Sequence, residues 1–173
     1  MSIHHSPQRG VALLEILIAV LVLSIGILGL AGLQVASLRS NQQTYQRSLV
    51  VAMAAELADR MRANRELAAT GSYLAAVGTA PATASANCNT AACTPAELAS
   101  FELNEWYNRA RLKLPGSKIS VVCSVTPCAS GKRQTISIFW DENRTGATDT
   151  SCPGPATFNP ATHMSCYQLS LTP

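Results

Sequence analysis

From Val11 to Leu33 the chain runs for 23 residues with a single charge, Glu15. A helix of that length can cross about 30 Å of hydrocarbon. No later segment of comparable length is free of polar residues, so one span is expected, with residues 34–173 on one side of it. An acidic side chain at mid-membrane costs about 2.5–3.5 kcal/mol, and less near the edge. Glu15 sits near the front edge of the run, where only a functional partner would offset that cost, and it is the first candidate site residue.

Orientation follows from the flanks. Arg9, with His4 and His5, precedes the span and favours a cytoplasmic N-terminus, although Arg39 and Arg47 lie beyond it. Six cysteines, Cys88, Cys93, Cys123, Cys128, Cys152 and Cys166, all follow the span. An even count in a small domain points to disulfides and an oxidising compartment, the periplasm in a Gram-negative cell. The expected topology is a single-pass inner-membrane protein with its C-terminal domain outside the cytoplasm. A net charge of +3, with 13% charged residues, gives no polyanion-binding surface, so no nucleic-acid partner is expected. Membrane lipid is one expected partner.

An ordinary secretory signal has a shorter apolar core followed by a small-residue cleavage site, and neither is present. Instead "RGVALLEILIAVLVLSIGILGL" resembles the class III leader and N-terminal helix of type IV prepilins. The resemblance implies a leader of residues 1–10, cut after Gly10 by prepilin peptidase, and an N-methylated Val11. Val11 stands where family members more often have phenylalanine or methionine. Residues 11–33 are then the transmembrane and assembly helix, and Glu15 is the fifth mature residue. The α-amino group at Val11 of one subunit would pair with the Glu15 carboxylate of a neighbour, offsetting the desolvation of both. Gly26, Gly29 and Gly32 each cost about 1 kcal/mol against alanine in a helix. Close packing in lipid and a soft segment that unwinds in a fibre both account for them.

Past the membrane, Tyr45, Leu49, Met53, Leu57 and Met61 recur every four residues as an apolar stripe. Residues 34–66 are read as an amphipathic continuation of the helix. Glu56 with Arg60 and Asp59 with Arg62 are spaced to pair, and Asn64 is a C-cap candidate. The string "LADRMRAN" resembles the PilV-type minor pilins, also called type IV pilus modification proteins. Spacing alone gives it only the look of a solvated, well-ended helix, and a partner-subunit contact is the functional alternative.

Residues 67–173 are read as the globular pilin head. Residues 67–93, charge-free after Glu66, are expected to be a surface loop pinned by a Cys88–Cys93 ring. Thr94, Pro95 and Glu97 make a capping box ahead of a helix whose apolar spacing runs through Leu98, Phe101, Trp106 and Ala110, with Glu102 interleaved, until Pro115-Gly116. Three half-buried strands follow: "KISVVCSV" with Ile119, Val121, Cys123 and Val125 on one face, "RQTISIFW" with Ile136, Ile138 and Trp140, and "SCYQLSLT" with Tyr167, Leu169 and Leu171. The first two form a hairpin through "TPCASGK", and loop 142–164 resembles the cysteine-bounded loop near the C-terminus of pilins. The expected class is α+β and pilin-like: a long N-terminal helix on a small antiparallel sheet with a second helix. Short spacings favour the pairs Cys88–Cys93, Cys123–Cys128 and Cys152–Cys166 among fifteen connectivities.

Other chemistries rank lower. The two Cys-x4-Cys pairs suit local rings better than a zinc site. "DENRTGATD" places Asp141, Asn143, Thr145, Gly146 and Asp149 like calcium-loop positions, but Cys152 stands where a bidentate glutamate belongs and Arg144 adds positive charge, so a polar turn is expected. His163 is the sole histidine after the leader, and the spacing supplies no nucleophile–base–acid set. No catalytic residue, metal or cofactor is expected, and no enzyme. The expected function is that of a PilV-type minor pilin. It would enter the pilus or its initiating complex with other minor pilins, the major pilin and the inner-membrane assembly platform, in support of biogenesis, twitching motility or adhesion. The alternatives are a minor pseudopilin of type II secretion and, in another class, a membrane-anchored periplasmic module for calcium or another ligand.

Overall fold

A computed structural model describes residues 9–78, 80–81 and 83–173. Leader residues 1–8, His4 and His5 included, lie outside the described residues. Helix α1 (Arg9–Ala63) leads, followed by α2 (Arg65–Ala69), α3 (Pro95–Lys113), β1 (Lys118–Cys123), β2 (Gln134–Trp140) and β3 (Ser165–Leu171). The chain divides into two units, Met1–Thr44 and Tyr45–Pro173.

Among the described residues of the first unit, nothing covers α1. The large apolar side chains from Leu13 to Leu38 are bare, the best covered being Ile18 at 55% exposure. In water such a surface would be untenable, whereas in hydrocarbon it costs nothing, and the helix is long and apolar enough to cross a membrane. A Cβ added at Gly26, Gly29 or Gly32 would meet nothing within 4 Å. Packing inside the subunit therefore does not explain those glycines.

In the second unit one core is shared by α1, α3 and the sheet. The buried stripe of α1 is Gln46, Val50, Met53, Leu57 and Met61, with Ala54 and Ala58 beside it. Tyr45, expected in that stripe, is 64% exposed. Steps of four drift about 40° each around a helix of 3.6 residues per turn, so a strict period of four winds away from any flat partner. The structure mixes steps of three and four instead. On α3 the buried face is Ala99, Leu103, Trp106, Tyr107 and Ala110, while Leu98 is largely exposed and Phe101 half-buried. A small alanine, not the larger leucine beside it, occupies the contact.

The α3 start matches its signals atom for atom. Thr94 Oγ1 accepts the Glu97 N–H at 3.4 Å, and Glu97 Oε2 accepts the Thr94 N–H at 2.8 Å, with Pro95 at the first helical position. That Thr94 N–H holds the exposed Glu97 carboxyl below its ordinary range. Gly116 follows the helix at φ 61°, a conformation glycine adopts without strain.

The sheet is a three-stranded antiparallel meander in the order β1-β2-β3. Ile119 and Val121 of β1 lie opposite Ile138 and Ile136 of β2, which lie opposite Tyr167 and Leu169 of β3. This face closes the core against the helices. β1 stops at Cys123, and Val125 is 38% exposed, because the chain turns into the ring closed by Cys123–Cys128. β2 is buried on both faces. Phe139, paired with Cys166, joins Ala147 and Met164 in a second small cluster under loop 142–164. The expected surface loop 67–93 is also partly absorbed. Residues 65–69 form α2, Tyr73 is fully buried, and Ala75 exchanges both backbone hydrogen bonds with Val121. The fold is α+β and pilin-like.

Candidate functional site

Glu15 is exposed on α1 and, among the described residues, makes no hydrogen bond or ion pair. An unpaired carboxylate on an otherwise apolar helix is the least favourable charge in the chain to place in lipid. Whatever compensates it lies outside this set of residues. Gly10 and Val11 fall within the backbone of α1.

The string 57–64, "LADRMRAN", has an internal job that the sequence did not disclose. Leu57, Ala58 and Met61 are fully buried in the core. Arg60 bonds Glu56 at 2.8 Å and lies 3.8 Å from Glu105 on α3, while Arg109 of α3 bonds the same Glu56 oxygen. The Asn64 N–H closes α1 on the Arg60 carbonyl, and its side chain reaches the Tyr73 hydroxyl at 3.5 Å. Tyr73 in turn donates to Glu102 of α3 at 2.7 Å. Burial, then Glu102, pushes the Tyr73 hydroxyl far above its ordinary range, so it stays a protonated donor. Asp59 and Arg62, paired with each other at 2.8 Å, and the small Ala63 stand in solvent. Most of the segment therefore fastens α1 to α3, and any partner contact falls to Asp59, Arg62 and Ala63.

Burial raises the Glu56 carboxyl, but Arg109 and Arg60 more than offset it, and its pKa lies below the ordinary value. A carboxyl depressed in the folded state contributes stability above its unfolded pKa and loses it as pH falls through the folded value. Thermal midpoints of the detergent-solubilised chain are therefore expected to drop between pH 6 and pH 3. In Glu56→Gln the midpoint is lower at pH 6 and the acid-dependent drop is smaller. An unchanged pH profile in Glu56→Gln would remove this cluster from the account.

Loop 142–164 is held at several points. Arg47 of α1 forks onto both Glu142 oxygens at 2.8 and 3.1 Å, and Glu142, its side chain 4% exposed, also accepts from Ser165 Oγ. Glu142 raises the Arg47 pKa further, so the guanidinium stays charged. Asp149 and His163 form an isolated bridge, with His163 Nε2 3.3 Å from Asp149 Oδ2. The Ser151 N–H, and to a lesser degree His163, hold the Asp149 carboxyl low. His163 Nδ1 accepts the Asn159 N–H at 3.1 Å, so the nearby Thr162 hydroxyl at 3.2 Å has no free base to deprotonate it. The set works as a loop clasp. In the calcium-like stretch, Asp141 spends Oδ1 on the Thr145 N–H and Oδ2 on the Gly146 N–H, at 3.0 and 2.8 Å. Those carboxylate oxygens face their own turn, the geometry of a polar turn after a strand.

Three disulfides close in this unit: Cys88–Cys93, Cys123–Cys128 and Cys152–Cys166, with Cα separations of 5.5, 5.7 and 5.6 Å. Non-reducing peptide mapping is expected to recover these three links, and a peptide joining Cys88 to Cys128 would refute the local scheme. The third ties the loop to β3. For a ring of about 15 residues the chain-entropy account gives roughly 3 kcal/mol.

Two family matches bear on identity. The prokaryotic N-terminal methylation motif matches residues 5–31, and the family described as type IV pilin Tt1218 matches residues 32–104. No curated protein and no solved structure matches the chain. A prepilin leader implies processing by prepilin peptidase and assembly with other pilins, and the pilin family is structural rather than enzymatic. The methylation motif at its head, the bare apolar helix behind it and the α+β head agree with these two matches, which support a type IV pilin.

Proposed function

We propose that this pilin is a minor subunit of the PilV type. It is inserted in the inner membrane with its head in the periplasm, cut between Gly10 and Val11, methylated at Val11, and drawn into the pilus or its initiating complex. Its partners would be prepilin peptidase, the major pilin, other minor pilins and the assembly platform. The observation that carries the reading is the first unit: an apolar helix that, among the described residues, has no cover and carries one unpaired carboxylate, Glu15. Such a helix is stable in lipid or against other helices like itself, and the carboxylate favours the second state once a neighbour's N-terminal ammonium is within reach. The minor-subunit assignment leans on "LADRMRAN" at 57–64 and on six cysteines, features that set it apart from a type II secretion pseudopilin.

The test is fractionation. Sheared pili should contain this chain at a small fraction of the major subunit, and mass spectrometry should find N-methylated Val11 at its start. Replacing Gly10 with a bulky residue should leave the full-length precursor in the membrane. A mature N-terminus at Ser2 would overturn the prepilin processing scheme. Absence from sheared pili, with retention in a secretion-competent envelope fraction, would favour the pseudopilin.

A further inference from the structure

The sheet has two edges, and its hydrogen-bond phase decides which backbone groups face outward there. The Ser124 N–H donates to the Arg133 carbonyl at 2.8 Å, one step beyond the Cys123–Gln134 pair. Alternation along antiparallel strands then points the backbone of Thr135, Ser137 and Phe139 at β1, and that of Gln134, Ile136, Ile138 and Trp140 at β3. On β1 the same phase turns Val121 outward, where it exchanges hydrogen bonds of 3.1 and 2.9 Å with Ala75. On β3 it turns Cys166, Gln168 and Ser170 outward. Met164 shares that phase, and its N–H is taken by the Asp149 carbonyl at 2.9 Å. Beyond it the edge is open. Among the described residues, the backbone N–H and C=O groups of Cys166, Gln168 and Ser170 have no partner.

Open edges are ordinarily blunted by lysine, proline, a bulge or a covering loop, because unpaired strand groups template another strand. Between Ser165 and Leu171 there is no charge and no proline, and the register with β2 runs without a bulge. Tyr167 and Leu169 lie half-buried at the margin of the core, while Gln168 and Ser170 stand exposed on the other face. At the Cys166 end the strand borders a cleft of about 500 Å³, lined by Val51, Trp140, Phe158, Met164 and Tyr167 with Arg47 beside them. Trp140 is 4% exposed, yet its buried indole N–H has no acceptor among the described residues. A buried donor without a partner is costly. Arg47 is the one charged residue of the lining, and Glu142 already neutralises it. A charged side chain entering the cleft would find no counter-ion, so the site selects a neutral occupant.

We infer that the open edge of β3 is a docking site for an extended, uncharged strand of another exported polypeptide. The incoming strand pairs about five residues with Cys166–Ser170, and main-chain hydrogen bonds supply its affinity. Its side chains alternate, apolar beside Tyr167 and Leu169 and polar beside Gln168 and Ser170. The residue that reaches the cleft carries a hydroxyl or amide oxygen to accept the Trp140 N–H. A second copy of this chain fits less well. The β1 edge of such a copy is already taken at Val121 by Ala75. Antiparallel pairing of β3 with β3 runs about a two-fold axis normal to the sheet, which reverses the α1 segment packed on that face. The two chains would then enter their heads from opposite directions, whereas one membrane anchors both from the same side.

The test is photo-crosslinking in pilus-producing cells, with full-length chain carrying Gln168→p-benzoylphenylalanine on the exposed face of the edge. A covalent product with another exported protein is expected. Fragmentation should place the bond in a segment of about five uncharged residues with alternating apolar positions. Ser170→Pro in the same chain removes one outward N–H and no bond to β2, a position where an edge strand tolerates proline. It should lower the product at least tenfold. Ser170→Ala, which loses only the hydroxyl contact to Thr135, should leave the product unchanged. If the Ser170→Pro head melts below wild type, Ser170→Lys serves instead, since it sets a charge on the exposed edge and makes no backbone demand. No product, a product with lipid or with a second copy of this chain, a charged partner segment, or a product indifferent to Ser170→Pro and Ser170→Lys overturns the inference. The inference relies on the head being exported, as in the reading above. A chain present in sheared pili without the product removes the dock alone, whereas the product from a chain missing from pili supports the dock and removes the pilus role.

Discussion

Glu15→Gln pilin is expected to accumulate in the inner membrane, trimmed after Gly10 and methylated at Val11, and to be nearly absent from sheared pili. Glutamine keeps the size of the side chain and removes its charge, so packing along α1 is preserved. Entry into lipid becomes easier, because an acidic group no longer has to be desolvated. What is lost is the acceptor for a neighbour's N-terminal ammonium. Removing one member of a buried ion pair costs about 3–5 kcal/mol, since the other charge is left uncompensated. At about 1.4 kcal/mol per tenfold, that penalty disfavours incorporation by a hundredfold or more. Glu15→Asp, which keeps the charge on a shorter arm, should recover part of the loss. A Glu15→Gln chain that enters pili as well as the wild type would show that Glu15 does not govern assembly.

That prediction could be framed from sequence because the constraint on residues 11–33 is one-dimensional: hydrocarbon asks only for length and the absence of charge. The α3 start was legible for a similar reason, since Thr94, Pro95 and Glu97 satisfy one another locally. Alternation placed Ile136, Ile138 and Trp140 on one face of β2, and the structure agrees. Alternation reads one face at a time, however. The burial of Phe139 depends on loop 142–164 folding over the far side, which no pattern within β2 announces.

The misses share a cause: they depend on partners remote in sequence. Gln46, rather than Tyr45, turns inward because the sheet and loop approach α1 on that side. Arg47 finds Glu142 across 95 residues, and Arg109 finds Glu56 across 53. "LADRMRAN" looked like a solvated helix end because Glu56–Arg60 and Asp59–Arg62 satisfy the local pairing rule. Only the approach of α3 turns Arg60 into a bridge between helices. A buried Leu57–Met61 face with bridging charges above it needs both helices in place, and that is a property of the fold rather than of the string.

The joint between those helices should be where the head is easiest to break, and Trp106→Ala the substitution that breaks it. Trp106 is fully buried at the centre of the core and donates its indole N–H to the Met53 carbonyl of α1 at 2.9 Å. Truncating a buried tryptophan to alanine costs about 3–5 kcal/mol through lost transfer energy and the cavity left behind. A domain holds only about 5–15 kcal/mol in all, so the loss is a large share of what keeps the head folded. In a chain of this size the thermal midpoint should fall by roughly 6–20 °C. Trp106→Phe separates the two contributions. It keeps much of the apolar volume but drops the hydrogen bond, for a smaller loss led by about 1 kcal/mol for that bond. The remaining tryptophan, Trp140, is 4% exposed in the same core, so its emission reports the head alone whatever the detergent-bound helix does. Unfolding should shift that emission to the red. A Trp106→Ala chain whose Trp140 transition stays within a degree or two of wild type would mean that α3 is held to α1 by the Glu56, Arg60 and Arg109 cluster instead of by this side chain.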